Sequence, residues 1–181
     1  MPTEIIRSLS YDTAVGRFDV TAAVTLKFEG KTEVILKSVV PKQKLPEGMT
    51  VQRCRAAVLS ISGDAKLSSL TFSVFLDGDL EGHPCTGQGL DAQEWSDNGK
   101  LVVVGTEDGE WLDNRLPSLQ CNDKAIVSYS PISMTLELTN IPIITSASFH
   151  FIIAENNDPE DIDASAWFAV DCPHHLLLST A

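Results

Sequence analysis

Residues 17–28, with the sequence RFDVTAAVTLKF, alternate between apolar and polar side chains almost without exception. Successive side chains of a β-strand point to opposite faces of a sheet, so this period of two predicts a strand with one buried face and one solvated face. Such a strand requires a second layer to cover its apolar face. The apolar face would carry Phe18, Val20, Ala22, Val24, Leu26 and Phe28.

Similar short segments recur along the chain, separated by turns that contain Gly, Pro, Asp or Asn. Further strands are predicted at 5–9, 32–40, 50–62, 69–77, 101–106, 124–129 and 132–138, then from Thr145 with one buried face, and finally through Trp167. Residues 78–99 are interpreted as a long loop or as a loop with a short helix starting near Leu90, and residues 107–109 as a turn that returns the chain through Trp111.

Nine or ten short strands without a convincing amphipathic helix predict an all-β fold. A two-layer antiparallel β-sandwich, jelly-roll-like, is the first choice and a closed β-barrel is the second. The length suits a single β domain over residues 1–181.

The N-terminal residues MPTEIIRSLSYD contain an early Glu4 and lack the apolar stretch of a secretory signal, and no apolar run is long enough to span a membrane. Four cysteines are widely spaced without a CxxC pair, which favours free thiols in a reducing compartment. The sequence therefore predicts a cytoplasmic protein.

Charge is distributed unevenly along the chain, which has a net charge of −12. Residues 1–66 contain ten Lys/Arg and seven Asp/Glu, a net charge of +3, whereas residues 67–181 contain three and eighteen, a net charge of −15. A field of this sign repels nucleic acid and anionic membranes and attracts basic partners. The simpler interpretation is that an acidic surface only keeps the protein soluble.

Two groups of residues contain side chains of the kinds that bind metal ions. A zinc site would need N and S ligands from two ligand-rich clusters nearly 90 residues apart, which are His83 and Cys85 with Cys172, His174 and His175. A calcium site would use the acidic connection of Asn156, Asn157, Asp158, Glu160, Asp161 and Asp163. Neither spacing matches a standard motif, so no metal and no cofactor is predicted.

Catalytic motifs are absent from the sequence. There is no GxSxG elbow, no glycine-rich nucleotide motif and no P-loop. His150 lies between Phe149 and Phe151, which favours a core histidine bonded to a neighbour. Paired carboxylates for glycoside chemistry would have to come from loop residues that the sequence alone does not bring together. No catalytic residue is assigned.

All three tryptophans lie among carboxylates. Trp167 is interpreted as core, whereas Trp95 and Trp111 are interpreted as surface residues that contact Lys or Arg side chains of a partner. The predicted binding residues are Trp95, Trp111, Glu110, Asp113, Asp158, Glu160, Asp161 and Asp163.

The leading functional hypothesis is a non-enzymatic interaction protein that binds a basic protein or peptide, as an immunity-type inhibitor or a peptide-binding accessory protein. Capture of a peptide at a sheet edge is a second binding mode. One alternative is a β-sandwich or barrel enzyme acting on a small molecule or carbohydrate, and another is a structural or capsid-like subunit.

Overall fold

The computed structural model describes residues 2–27, 31–63, 67–116, 126–139, 146–159 and 164–178, and these ranges contain eleven strands and three short helices. The strands are β1 Thr3–Thr13, β2 Gly16–Leu26, β3 Thr32–Val39, β4 Arg53–Gly63, β5 Leu67–Asp77, β6 His83–Pro84, β7 Leu90–Asp97, β8 Lys100–Glu107, β9 Ile126–Ser130, β10 Ser133–Thr139 and β11 Ser146–Asn157. The helices are α1 Gly109–Arg115, α2 Ser165–Val170 and α3 His174–Leu178.

The strands form two antiparallel sheets. Sheet A has the order β1-β2-β5-β10-β9, and sheet B has the order β3-β4-β11-β8-β7-β6. Among the described strands each sheet ends in two unpaired edges, β1 and β9 in sheet A and β3 and β6 in sheet B. The prediction of a sandwich-like all-β fold is confirmed, and the second choice of a closed barrel is wrong.

The main core lies between the two sheets, and β2 supplies its most regular face. Phe18, Val20, Ala22 and Val24 are fully buried, as the alternation predicts, while Phe28 lies outside the described residues. Aromatic rings bridge the sheets: Phe18 meets Trp95 edge-on at 5.2 Å between centroids, and Phe72 meets Phe151 at 4.8 Å. These contacts close the sandwich across its centre.

A second apolar layer covers the outer face of sheet B. The chain around Trp167 forms helix α2, so the strand predicted there is wrong. Ala166, Ala169 and Val170 follow the i, i+3, i+4 spacing of a helical face, and all three are buried against sheet B. A segment this short is compatible with the two-residue period of a strand and with the 3.6-residue period of a helix, so its packing partner determines which forms.

Gly105 on β8 permits the close approach of α2 to sheet B. A Cβ atom built at Gly105 would lie 2.7 Å from Cγ2 of Val170, a distance that real contacts almost never reach. The second layer also changes β11, which is buried on both faces from Phe149 to Glu155 rather than on the one face that was predicted.

Two further predictions of secondary structure are wrong. Residues 90–97 form strand β7, which pairs with β8 through the turn at Asn98 and Gly99, and not a helix or a loop. Residues 109–115 form helix α1 instead of a returning strand, because the side chain of Asp108 accepts a hydrogen bond from the Trp111 backbone N–H and caps the helix.

None of the helices in the described ranges has both the length and the apolar character needed to cross a bilayer.

Candidate functional site

The topology brings strands of the two sheets together at two edges of the sandwich. At one edge of the sandwich β1 lies beside β3, where Arg7 Nε donates to the carbonyl oxygen of Val34 at 3.0 Å. At the other edge the β9–β10 connection lies beside β7, where Gln93 Nε2 donates to the carbonyl oxygen of Ser130 at 2.7 Å. The strands of the first edge carry three carboxylates and two cations, while residues 67–116 carry ten Asp/Glu against two Lys/Arg.

Helix α1 presents Trp111 to solvent. Its side chain is 52% exposed, and its indole lies across Gly89, where a Cβ would be 2.2 Å from the indole Nε1. Glu110 on the same helix is exposed and Asp113 is half-buried. The short helix therefore combines an accessible aromatic ring with two carboxylates.

Asp91 and Asp108 extend this group of carboxylates. Burial raises the pKa of Asp91, the hydrogen bond from the Tyr129 hydroxyl lowers it, and the nearby Asp108 carboxylate raises it further. Repulsion between Asp91 and Asp108 is therefore part of the electrostatics at this edge. We call Asp91, Asp108, Glu110, Trp111 and Asp113 the acidic surface.

The structure does not bring all the predicted binding residues together. Trp95 is fully buried, and its Nε1 donates to the carbonyl oxygen of Pro131 at 3.0 Å, so the expectation that it is exposed is wrong. Its neighbour Glu94 is on the opposite face of β7, because side chains alternate along a strand, and Asp97 is exposed at the end of the strand.

Asp158 is exposed but lies at the far end of β8 from Trp111. Its backbone N–H donates to the carbonyl oxygen of Gly99, just before β8 begins, whereas helix α1 follows the end of β8 at Glu107. The seven steps between the eight residues of β8, at about 3.3 Å each, separate the two ends by roughly 23 Å. Glu160, Asp161 and Asp163 lie outside the described residues. The same three carboxylates belong to the calcium candidate, so this part of it also lies outside the described residues.

A second group of residues is buried beneath helix α3. His150 Nδ1 on β11 and His174 Nδ1 on α3 share a hydrogen bond of 2.7 Å, and the rings stack at 5.0 Å between centroids. His174 Nε2 is 2.6 Å from Ser148 Oγ. A carboxylate oxygen of Glu107 and one ring nitrogen of each histidine all lie within 4.8 Å of one another.

Arg115 fixes the carboxylate of this group. Its guanidinium contacts both oxygens of Glu107, with Nη2 at 2.6 Å from Oε2, and Nη2 also donates to the carbonyl oxygen of Ser148 at 2.7 Å. The Thr106 hydroxyl donates to the carbonyl oxygen of His150 at 2.6 Å. We call Glu107, Ser148, His150 and His174 the histidine cluster.

Both histidines are neutral at neutral pH. Burial, His174 and Arg115 hold the pKa of His150 well below its usual value, and burial with Arg115 and His175 lowers the pKa of His174 to about 3. The connection from Ser148 to His174 to His150 has the order of a nucleophile, a base and an orienting group. A base of such low pKa is poorly matched to removing a serine proton at neutral pH, so the geometry does not favour this chemistry.

The zinc set that the sequence suggested does not assemble. His83 is exposed, Cys85 lies beside Trp167, whose Nε1 donates to its carbonyl oxygen, and burial raises the pKa of the Cys85 thiol to about 12. Only His174 of that set belongs to the group of potential metal ligands found among the described residues.

The prediction of His150 as a core histidine bonded to a neighbour is confirmed. Cys54, Cys85 and Cys172 are free thiols, as predicted, and Cys121 lies outside the described residues.

Sequence reasoning missed the pairing of His150 with His174. The two residues are 24 positions apart on a strand and a helix, and no spacing rule connects such elements. The available signal was that both histidines lie in otherwise apolar segments, so each needed a buried partner.

Comparisons of the chain with protein-family models, with curated proteins and with solved structures find no match.

Proposed function

We propose that the chain is a non-enzymatic interaction protein that binds a basic protein or peptide through the acidic surface. The observation that carries this proposal is Trp111, a tryptophan that is 52% exposed on a helix bearing Glu110 and Asp113. An exposed indole suits a Lys or Arg side chain through a cation–π contact, and the carboxylates of the same helix would attract further basic side chains of the partner.

The electrostatics of the acidic surface support a cationic partner. Asp91 and Asp108 repel each other, and this repulsion raises the pKa of Asp91 alongside the larger effect of burial. A bound Lys or Arg would relieve that repulsion. The excess of carboxylates over residues 67–116 would also accelerate encounter with a basic partner at low salt.

The test is a titration with an arginine-rich peptide and a glutamate-rich peptide of equal length, at two salt concentrations. Fluorescence anisotropy of a dye-labelled peptide reports the binding, because this readout also serves a variant that lacks Trp111. We expect saturable binding of the arginine-rich peptide alone, weakened by salt, and a loss of about tenfold or more in affinity in Trp111→Ala.

Matched controls separate this surface from general charge and hydrophobicity. Phe75→Ala removes another exposed aromatic side chain, on β5, and Glu137→Lys reverses an exposed charge on β10. We expect Glu110→Lys to weaken binding more than Glu137→Lys. Equal affinities for Trp111→Ala and Phe75→Ala, or no preference for the basic peptide, would contradict the proposal.

The finer descriptions of the protein stay predictions. These are the jelly-roll-like arrangement within the sandwich, a single domain over residues 1–181 and a cytoplasmic location. The separation of Asp158 from helix α1 confines the proposed surface to one end of β8.

A further inference from the structure

We propose that His150, His174 and Glu107 bind a divalent transition-metal ion of the zinc class. All three side chains are buried, and one potential ligand atom from each lies within 4.8 Å of the others. Two imidazoles and one carboxylate are a common ligand set for such ions and leave a fourth tetrahedral position open. The proposal does not depend on the partner proposed for the acidic surface.

The distance between the two histidines is close to what an ion requires. Their Nδ1 atoms are 2.7 Å apart. With metal–nitrogen bonds of about 2.0–2.1 Å and a tetrahedral angle, these atoms would be about 3.3 Å apart. An opening of roughly 0.6 Å therefore converts the hydrogen bond into a pair of ligand bonds.

The two histidines differ in their freedom to make this adjustment. His150 is fixed on β11, where it pairs with Val58 of β4 and its carbonyl oxygen accepts a hydrogen bond from the Thr106 hydroxyl of β8. His174 begins the five-residue helix α3. We therefore expect His174 to move while His150 stays in place.

Ser148 supports the required form of His174. When His174 Nε2–H donates to Ser148 Oγ, at 2.6 Å, the lone pair of its Nδ1 is left facing His150. Donation of the second ring N–H to a nearby acceptor is the usual way in which a metal-binding histidine is oriented. In the hydrogen bond His150 therefore donates its Nδ1–H to His174 Nδ1. Metal binding requires this proton to move from Nδ1 to Nε2 of His150, after which both Nδ1 lone pairs are free and both rings bind as neutral ligands.

Arg115 orients the third ligand and opposes the ion. Its guanidinium contacts both oxygens of Glu107, yet each carboxylate oxygen retains a further lone pair for a metal. Its positive charge repels a divalent ion in a buried site. The proposal therefore requires that removal of this charge strengthen metal binding.

The test is a titration of the chelator-treated full chain with Co²⁺, followed by displacement with Zn²⁺. We expect one Co²⁺ per chain and visible d–d absorption without the sulfur charge-transfer band that a site containing Cys85 and Cys172 would give. His174→Gln should lower the affinity by about 100-fold or more, whereas the exposed His83→Gln should leave it unchanged. Absence of stoichiometric binding, or equal affinities of these two variants, would overturn the site.

Two further measurements keep the test decisive if His174→Gln fails to fold. Arg115→Gln retains all three ligands and should bind Co²⁺ about tenfold or more tightly, because a nearby cation is removed; an unchanged or weaker affinity would contradict the proposal. In the unmodified chain, one equivalent of Zn²⁺ should shift the imidazole nitrogen resonances of His150 and His174 and leave those of His83 and His175 in place. The reverse pattern would exclude the site.

Discussion

Sheet A and sheet B share one core but differ in what covers their outer faces. On sheet A, Ser73 and Thr135 of neighbouring strands form a hydrogen bond of 3.0 Å between half-buried hydroxyls. On sheet B, Ile152 and Ala154 of β11 are fully buried under the layer that contains α2 and α3. A sheet face that solvent reaches can hold isolated polar groups, whereas a covered face must pair each of them.

The histidine cluster is a consequence of this difference. His150 points to the covered side of sheet B, opposite to Phe149 and Phe151, and therefore had to find a partner within the second layer. His174 of α3 provides it. A serine or threonine at the same place on sheet A would have been satisfied by water or by its cross-strand neighbour.

The largest effect is expected in the shared core. Phe151→Ala removes a fully buried ring that packs against Phe72, and its loss should lower the free energy of unfolding by about 3–5 kcal/mol. Denaturant unfolding measures this loss. A change near zero would mean that the inner face of β11 is assigned to the wrong side chains.

The adjacent residue tests the covered outer face. Ile152→Ala should cost about 2–5 kcal/mol, because Ile152 is fully buried although it points away from the core between the sheets. If the outer faces of the two sheets were alike, this variant would cost less than 1 kcal/mol in the same denaturant experiment.

The histidine cluster predicts a loss of stability in mild acid. The folded pKa values of His150 and His174 are lowered, the latter to about 3, so the unfolded chain takes up protons near its ordinary histidine pKa of about 6.5 while the folded chain does not. The stability is fully present above pH 6.5 and is lost as the pH falls towards 3. His174 alone should contribute a loss of about 2 kcal/mol between pH 7 and pH 5.

Urea unfolding at several pH values, with chelator present, measures this slope. His174→Gln should reduce the pH dependence of the free energy of unfolding by the contribution of one histidine. The raised pKa values of Asp91 and Asp171 act in the opposite direction, since these carboxyls hold protons more readily in the folded state. Equal stability at pH 7 and pH 5 would argue against two buried neutral histidines.

The smallest effect is expected on the solvated face of sheet A. Thr135→Ala removes the hydrogen bond to Ser73 from a half-buried position, and the cost should be about 1 kcal/mol or less. A cost as large as that of Ile152→Ala would remove the contrast between the two outer faces.

The sequence was informative where burial and period agree. The alternation in residues 17–28 predicted the inner face of β2, since one side of sheet A is solvated. The same alternation predicted only one of the two buried faces of β11, because the covering layer also buries the outer face. Residues 165–170 contain too few positions to distinguish a strand from a helix before the packing partner is known.

Some residues of the candidate sites could be predicted from local sequence, whereas others depend on how distant elements pack. Trp111 and Glu110 were identified from local composition, because a turn rich in carboxylates is exposed in most folds. Trp95 has similar neighbours but lies on the inner face of β7, and only the register of that strand shows this. The pairing of His150 with His174 depends on the docking of α3, which no local pattern encodes.

The close approach of α2 to sheet B also bears on how this protein can change over evolution. At Gly105 a single added methyl group would collide with Val170, so the two positions share one fixed volume. In any descendant of this chain, a larger residue at 105 should appear together with a smaller one at 170. The spacing between α2 and sheet B would then be conserved through compensating changes at positions 105 and 170.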